Sequence, residues 1–295
     1  MTRYAAPRMR IALLALFCAA AAARADNDAS APGAPFITTV DLPRATAMGG
    51  ANSAVATGND ALLVNPAGIA AARRYHFEID GVYDSGFPAQ GVMLSVIDSA
   101  TTSVGSGLLF SRWGSGQPGG RAEGWLLGFS YASAVGQNLF FGGQTKFTHF
   151  HSPPDGDLTA RWAQDVGILS RRGGFSWAAV LRNLSLEKIP LFPPTATAGL
   201  AWGSDTDWHI AFDYKADLSD LHDVKHRAAL GAELLLEQSF ALRGGASWDP
   251  AASLWWISAG LGILTEKGGL QLVWRRRVSG GYDQFFEGGL TIYLE

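Results

Sequence analysis

From about Arg73 to its last residue, this chain keeps restarting one pattern: apolar, small or polar, apolar, small or polar. Trp208, Ile210, Phe212 and Tyr214 alternate with His209, Ala211, Asp213 and Lys215. Successive side chains of a strand point to opposite faces, so one face here is greasy and the other carries charge. The same split sets Phe240, Leu242 and Trp248 against Arg243, Gly245 and Ser247. It sets Ala228, Leu230, Ala232, Leu234 and Leu236 against Arg227, Ala229, Gly231, Glu233 and Leu235. In a soluble sandwich two apolar faces meet inside. Here the second face, rich in glycine and in charge, has few places to go except a wet lumen. That is the signature of an all-β, antiparallel transmembrane β-barrel.

Bulk composition agrees. The mean hydropathy is only +0.08, and no interior run approaches the roughly 18 apolar residues of a membrane helix. A barrel strand needs only about ten residues, alternately apolar, so near-neutral hydropathy is what it produces. The net charge of −3 gives no reason to expect nucleic-acid binding. The 36 glycines ease curvature and close packing, and the 10 tryptophans favour a membrane interface. At the N-terminus, Arg3, Arg8 and Arg10 precede an apolar run over 11–23, and Ala23-Arg24-Ala25 supplies a small-residue cleavage site. Residues 1–25 therefore read as a signal peptide, removed before Asp26. Cys18 lies in this segment behind the large Phe17, which rules out lipidation and leaves the mature chain without cysteine. Residues 26–40 read as a flexible lead-in, 41–72 as a small, partly helical plug, and 73–295 as the barrel.

The alternation divides the barrel region into about fourteen strands, an even number as bacterial barrels require. The strands over 102–113, 138–150, 175–183 and 207–215 are followed by long connections: 114–122, 151–160, 184–194 and 216–223. The connections 99–101, 134–137, 172–174, 204–206, 238–239 and 265–269 are short. Barrels have long outer loops and short periplasmic turns, so both chain ends are expected on the periplasmic side. Trp113, Trp125, Trp162, Trp177, Trp202, Trp208, Trp248, Trp255 and Trp274 fall near strand ends with lipid-facing parity, as interfacial girdles do. The opposite parity carries Glu78, Asp80, Lys146, Asp165, Arg182, Asp213, Lys215, Arg227, Glu233, Arg243 and Arg275. Charges of both signs on one face are expected to pair across the lumen and hold the plug; a selectivity filter generally uses rings of like charge.

Two motifs go beyond periodicity. Near the end, Glu287, Gly289, Ile292 and Leu294 resemble the C-terminal assembly signal of outer-membrane barrels, although Glu295 stands where an aromatic usually closes it. That resemblance implies two partners, the barrel assembly machinery and outer-membrane lipid. Ahead of the first strand, the run from Arg44 through Met48, Gly49, Gly50, Ala51, Asn52 and Ser53 to Ala56 is followed by Asp60 and then by Asn65-Pro66-Ala67-Gly68. Gly49 and Gly50 allow close packing or positive φ. Asn65 can close an Asx turn, and Pro66 fixes φ at the start of a helical turn. This order of motifs resembles the N-terminal hatch of the FadL and PorV family of outer-membrane barrels. In FadL members the resemblance implies a hatch that occludes the pore and lateral release of hydrophobic molecules through a strand kink. In PorV members it implies a docking partner or shuttle for secreted and surface proteins. The expected function is passive transport of hydrophobic, fatty-acid-like small molecules across the outer membrane; the alternative is a PorV-like scaffold.

Signs of enzymatic or metal chemistry are weak. His149 and His151 share a strand face but lack a third ligand, so no metal is called for. No serine, histidine and acid fall at a spacing that suggests a nucleophilic triad. Gly114-Ser115-Gly116-Gln117 lacks the strand–helix context of a phosphate loop. The chain reads as a non-enzyme without a cofactor.

Overall fold

The computed structural model describes residues 41–84, 89–117, 120–152, 156–185, 193–279 and 283–294. The expected signal peptide and lead-in lie outside them. Fourteen antiparallel strands close into one barrel: β1 (Tyr75–Asp84), β2 (Ala89–Asp98), β3 (Val104–Gln117), β4 (Gly120–Ala134), β5 (Leu139–Ser152), β6 (Gly156–Arg172), β7 (Phe175–Leu184), β8 (Thr195–Gly203), β9 (Trp208–Asp217), β10 (Lys225–Leu236), β11 (Phe240–Asp249), β12 (Leu254–Leu264), β13 (Gly268–Arg277) and β14 (Gln284–Tyr293). Each strand pairs with its sequence neighbours, and β1 closes the ring against β14, with Ile79 opposite Leu290. Closure leaves no unpaired sheet edge, which lipid does not tolerate.

The period-2 pattern explains both faces. Across β9 and β10, Phe212 pairs with Leu230 and Tyr214 with Ala228 on the outside, while Ala211 pairs with Gly231 and His209 with Glu233 on the inside. Outward Leu230 is 49% exposed and Leu261 58%, whereas inward His209 and Glu233 are buried. A continuous apolar exterior of this extent is stable only against lipid.

The strand count and order agree with the sequence reading, but two hairpins run further than expected. Residues 114–122 and 151–160, expected as outer loops, are largely ladder: Gly114 pairs with Glu123, Gln117 with Gly120, and Ser152 with Gly156. Glycine, serine, proline and charge interrupt the apolar alternation in both stretches, so the pattern that marks a strand fades there. One girdle assignment also changes. Trp113 faces inward, buried, with its ring 5.4 Å from that of Phe150. The other named tryptophans keep outward parity, with Trp202 68% exposed and Trp248 stacked on Trp255.

The packed core lies inside the cylinder. Residues 41–72 fill it with a short helix, α1 (Pro43–Ala47), and two 3₁₀ turns, Gly58–Leu62 and Pro66–Ala71. Leu42, Leu62 and Ile69 pack against Ile97, Leu109 and Phe150 of the wall. Met48, Val55 and Ala67 pack against Leu169, Ala201 and Ala229.

Candidate functional site

The lumen and the segment lodged in it form the candidate site. The second 3₁₀ turn begins where Asn65 accepts a hydrogen bond from the Ala67 N–H at 3.1 Å, with Pro66 at the first helical position. The Asn65 amide also donates to the carbonyls of Ser53, at 3.0 Å, and Ile168 on β6, at 3.3 Å. One side chain thus caps the turn and ties it to the wall. Gly49 and Gly50 have φ of +70° and +89°. A Cβ at Gly49 would sit 2.7 Å from the Ala246 backbone on β11. Gly68 is similarly crowded by the Ala56 carbonyl.

The wall makes room for the plug with its own glycines. A Cβ at Gly245 would lie 2.1 Å from the Met48 carbonyl carbon, and one at Gly231 2.5 Å from the Met48 oxygen. Gly142 and Gly167 receive Pro66 and Asn65 in the same way. The inward glycines of the alternating pattern therefore mark where plug backbone touches barrel.

Charge joins the two parts further. Arg44 of α1 donates from Nε and Nη2 to the two oxygens of Glu233 on β10, at 2.9 and 3.0 Å. It also donates to the Val55 carbonyl at 3.1 Å and lies 3.5 Å from Asp60. Burial opposes the Arg44 charge, but Glu233 and Asp60 outweigh it, and the guanidinium is held above its ordinary range. Burial raises the Asp60 carboxyl above the usual carboxylate range, with Arg44 acting against it. Arg243 on β11 binds the same Glu233 and donates to Gln271 on β13 at 2.7 Å. The network thus links α1 to three strands. On the neighbouring strand β9, Asp213 accepts from the Asn52 N–H at 3.2 Å, the Ser53 N–H at 3.0 Å and the Ser53 hydroxyl at 2.7 Å. The Ser258 hydroxyl on β12 donates to the Ala47 carbonyl.

The other named residues have definite places. Lys146 and Asp165 form a buried pair at 2.7 Å, joined by Asn183. Ladder register shifts on both sides of β6, between Thr148 and Phe150 and between Gln164 and Val166. Glu78, Asp80 and Glu287 share the inward stripe at the β1–β14 seam, where Gly289 leaves room for Asp80. Ile292 and Leu294 face outward. Arg275 lies over the Trp256 ring at 4.6 Å, an inward tryptophan that the girdle pattern omits. Arg182, Lys215 and Arg227 also point inward but make no hydrogen bond or ion pair with a described residue, a departure from the pairing expected of lumen charges. His149 and His151 point outward on β5, with His149 stacked on Trp125, and no metal-ligand cluster is found among the described residues. Sequence reasoning missed Arg44, Asn52, Ser53, His209 and Gln271 as contact residues. Arg44, Asn52 and Ser53 stand in the hatch motif, which marks the segment but not their partners.

Below the plug, at the end where β1 begins and β14 ends, a cavity of about 630 Å³ opens. Arg44, Asn59, Asp60, Glu78, Glu233 and Arg243 line it, and Arg74, Tyr75 and Tyr293 form part of its rim. It is a polar vestibule whose path into the barrel ends at the plug.

No family model and no curated protein matches the chain. Solved structures do. A "CymD monoaromatic hydrocarbon channel" superposes with TM-score 0.67 at 12% identity, over 86% of this chain and 98% of that one. The "P. putida toluene transporter TodX" gives 0.65 at 13%, with the same coverage of each. A "Pseudomonas aeruginosa FadL homologue" gives 0.63 at 10%, over 85% of this chain and 98% of that one. On this geometry the chain has the fold of the FadL-type outer-membrane hydrocarbon channels.

Proposed function

We propose that the protein is an outer-membrane channel for the passive passage of small hydrophobic or amphipathic molecules, gated by residues 41–72. The observation that carries this reading is a lipid-facing barrel whose lumen is stopped by a segment of its own chain. Hydrogen bonds and ion pairs, rather than covalent links, hold that segment. The fold likeness to structures named for hydrocarbon transport supports it. Export by residues 1–25, cleavage before Asp26 and insertion by the barrel assembly machinery through the stretch from Glu287 to Leu294 belong to the same proposal. The scaffold alternative draws no support from the comparisons.

The test is flux. Proteoliposomes holding the purified protein should take up labelled toluene faster than empty vesicles at equal lipid. Removing Leu42 to Ala70 should leave an inserted barrel, because the strands alone satisfy the backbone in lipid. Uptake no faster than that of empty vesicles, by parent and deletion alike, would remove the channel reading.

A further inference from the structure

The outer half of the lumen, above the plug and away from the start of β1, is divided in character. Along β14 and β1 to β5 its inward side chains are Val82, Met93, Trp113, Leu126, Phe150 and Phe285, all buried and packed on one another and on Leu42. That side offers little open apolar wall on which a long hydrocarbon tail could lie. On the other side stand Arg182 on β7, Lys215 on β9 and Arg227 on β10, each partly exposed. Lys215 is the direct ladder partner of Arg227, and on its other side of Thr197, while Arg182 pairs with Thr195. Like charges directly opposite on a sheet repel, and desolvated charges without partners are costly. The acids nearest Lys215 are Asp41 of the plug, Asp213, already held by Asn52 and Ser53, and Asp217 two residues on, already held by Ser219. Among the described residues, none of these three inward cations, on β7, β9 and β10, has a carboxylate within ion-pair distance.

We infer that Arg182, Lys215 and Arg227 form an anion seat above the plug, and that the solute selected there is a compact organic acid in its ionised form, of arenecarboxylate size. The arginines supply forked donors suited to a carboxylate, and Lys215 adds a third charge-assisted donor. The shortage of open apolar wall limits the body of the ligand to a ring or a short chain. The inference deepens the channel reading and rests on it. It also separates this chain from a channel for neutral arenes.

The test uses benzoate and toluene on the full mature protein. Benzoate binding to detergent-purified protein, followed by calorimetry, should weaken by at least about tenfold in the triple variant Arg182→Gln, Lys215→Gln, Arg227→Gln, as lost charge-assisted bonds require. The single Lys215→Gln variant should show a smaller loss, restored by Lys215→Arg, and stands in if the triple variant does not insert. In proteoliposomes benzoate flux should fall with binding while toluene flux stays unchanged. Benzoate bound equally by parent and variants, or displaced equally well by chloride or phosphate, overturns the seat. Toluene flux with no benzoate binding removes the seat and keeps the channel. Benzoate binding that depends on the three cations, with no flux of either solute, keeps the seat and removes the channel.

Discussion

Single positions carry the contact between plug and wall. A methyl group at Gly245 would stand 2.1 Å from Met48 backbone, which has little freedom to move away. Gly245→Ala should destabilise the docked plug by about 1–3 kcal/mol, the usual range for overpacking. Gly81 faces outward with nothing within 4 Å of its added Cβ, so Gly81→Ala should be silent. Proteolytic cleavage rates within residues 41–72 distinguish the two variants, and equal protection in both would refute tight docking. Arg44 and Glu233 admit a sharper measurement. Arg44→Met leaves Glu233 with Arg243 as its remaining guanidinium partner, and Glu233→Gln leaves two buried arginines without their shared carboxylate. Each change should cost about 3–5 kcal/mol, the usual toll of breaking a buried pair. The double variant should lose less than the sum of the two, with a coupling of about 0.5–3 kcal/mol in a thermal or urea-unfolding cycle. Simple additivity would mean that the contact holds nothing.

At the level of strands and plug, facing decides the outcome. Phe212→Arg or Leu230→Arg puts a cation into lipid and should destabilise the inserted barrel by about 2–4 kcal/mol if the site is near the midplane. Ala211→Arg on the inner face should spare insertion but expel the plug, because Ala211 is buried in the cluster around Met48. Heat-modified gel mobility reports the first effect and protease access the second; the same defect from both faces would contradict the assigned parity. Strands were legible in the sequence because lipid on one side and lumen on the other impose a period of two. At 114–117 and 120–122 the sequence is Gly, Ser, Gln, Arg and Ala with no apolar alternation, so the strand could not be read there. The plug's docking was legible only in part. Asn65 and Pro66 write their turn locally, whereas Arg44 meets Glu233 across 189 residues, and no local pattern announces such a contact. The same distance hides which lumen charges find partners and which, like Lys215, find none among the described residues.

As a whole molecule the protein should fractionate with outer membranes and keep a compact, faster-migrating form on unheated gels; recovery as a soluble periplasmic protein would refute the membrane reading. Deleting Leu42 to Ala70 should raise single-channel conductance, since the plug is what separates the polar vestibule from the outer lumen. A conductance equal to that of the parent would show that it is no stopper. The closed ring has a further consequence, for the order of assembly. Strand pairings are between sequence neighbours except for β1 with β14, whose contact between Glu78 and Thr291 spans 213 residues. Local pairings form early, and a distant one must wait for the chain between its ends to be organised. Until that last pairing the sheet is an open ribbon, and afterwards there is no side door wide enough for a folded segment. Residues 41–72 precede β1 in the chain, so they are made before the wall they will occupy. Closure removes the lateral way in, so loading before the first and last strands meet is open-sided, and loading afterwards has only the vestibule end: the final ladder narrows the route by which the barrel receives its contents.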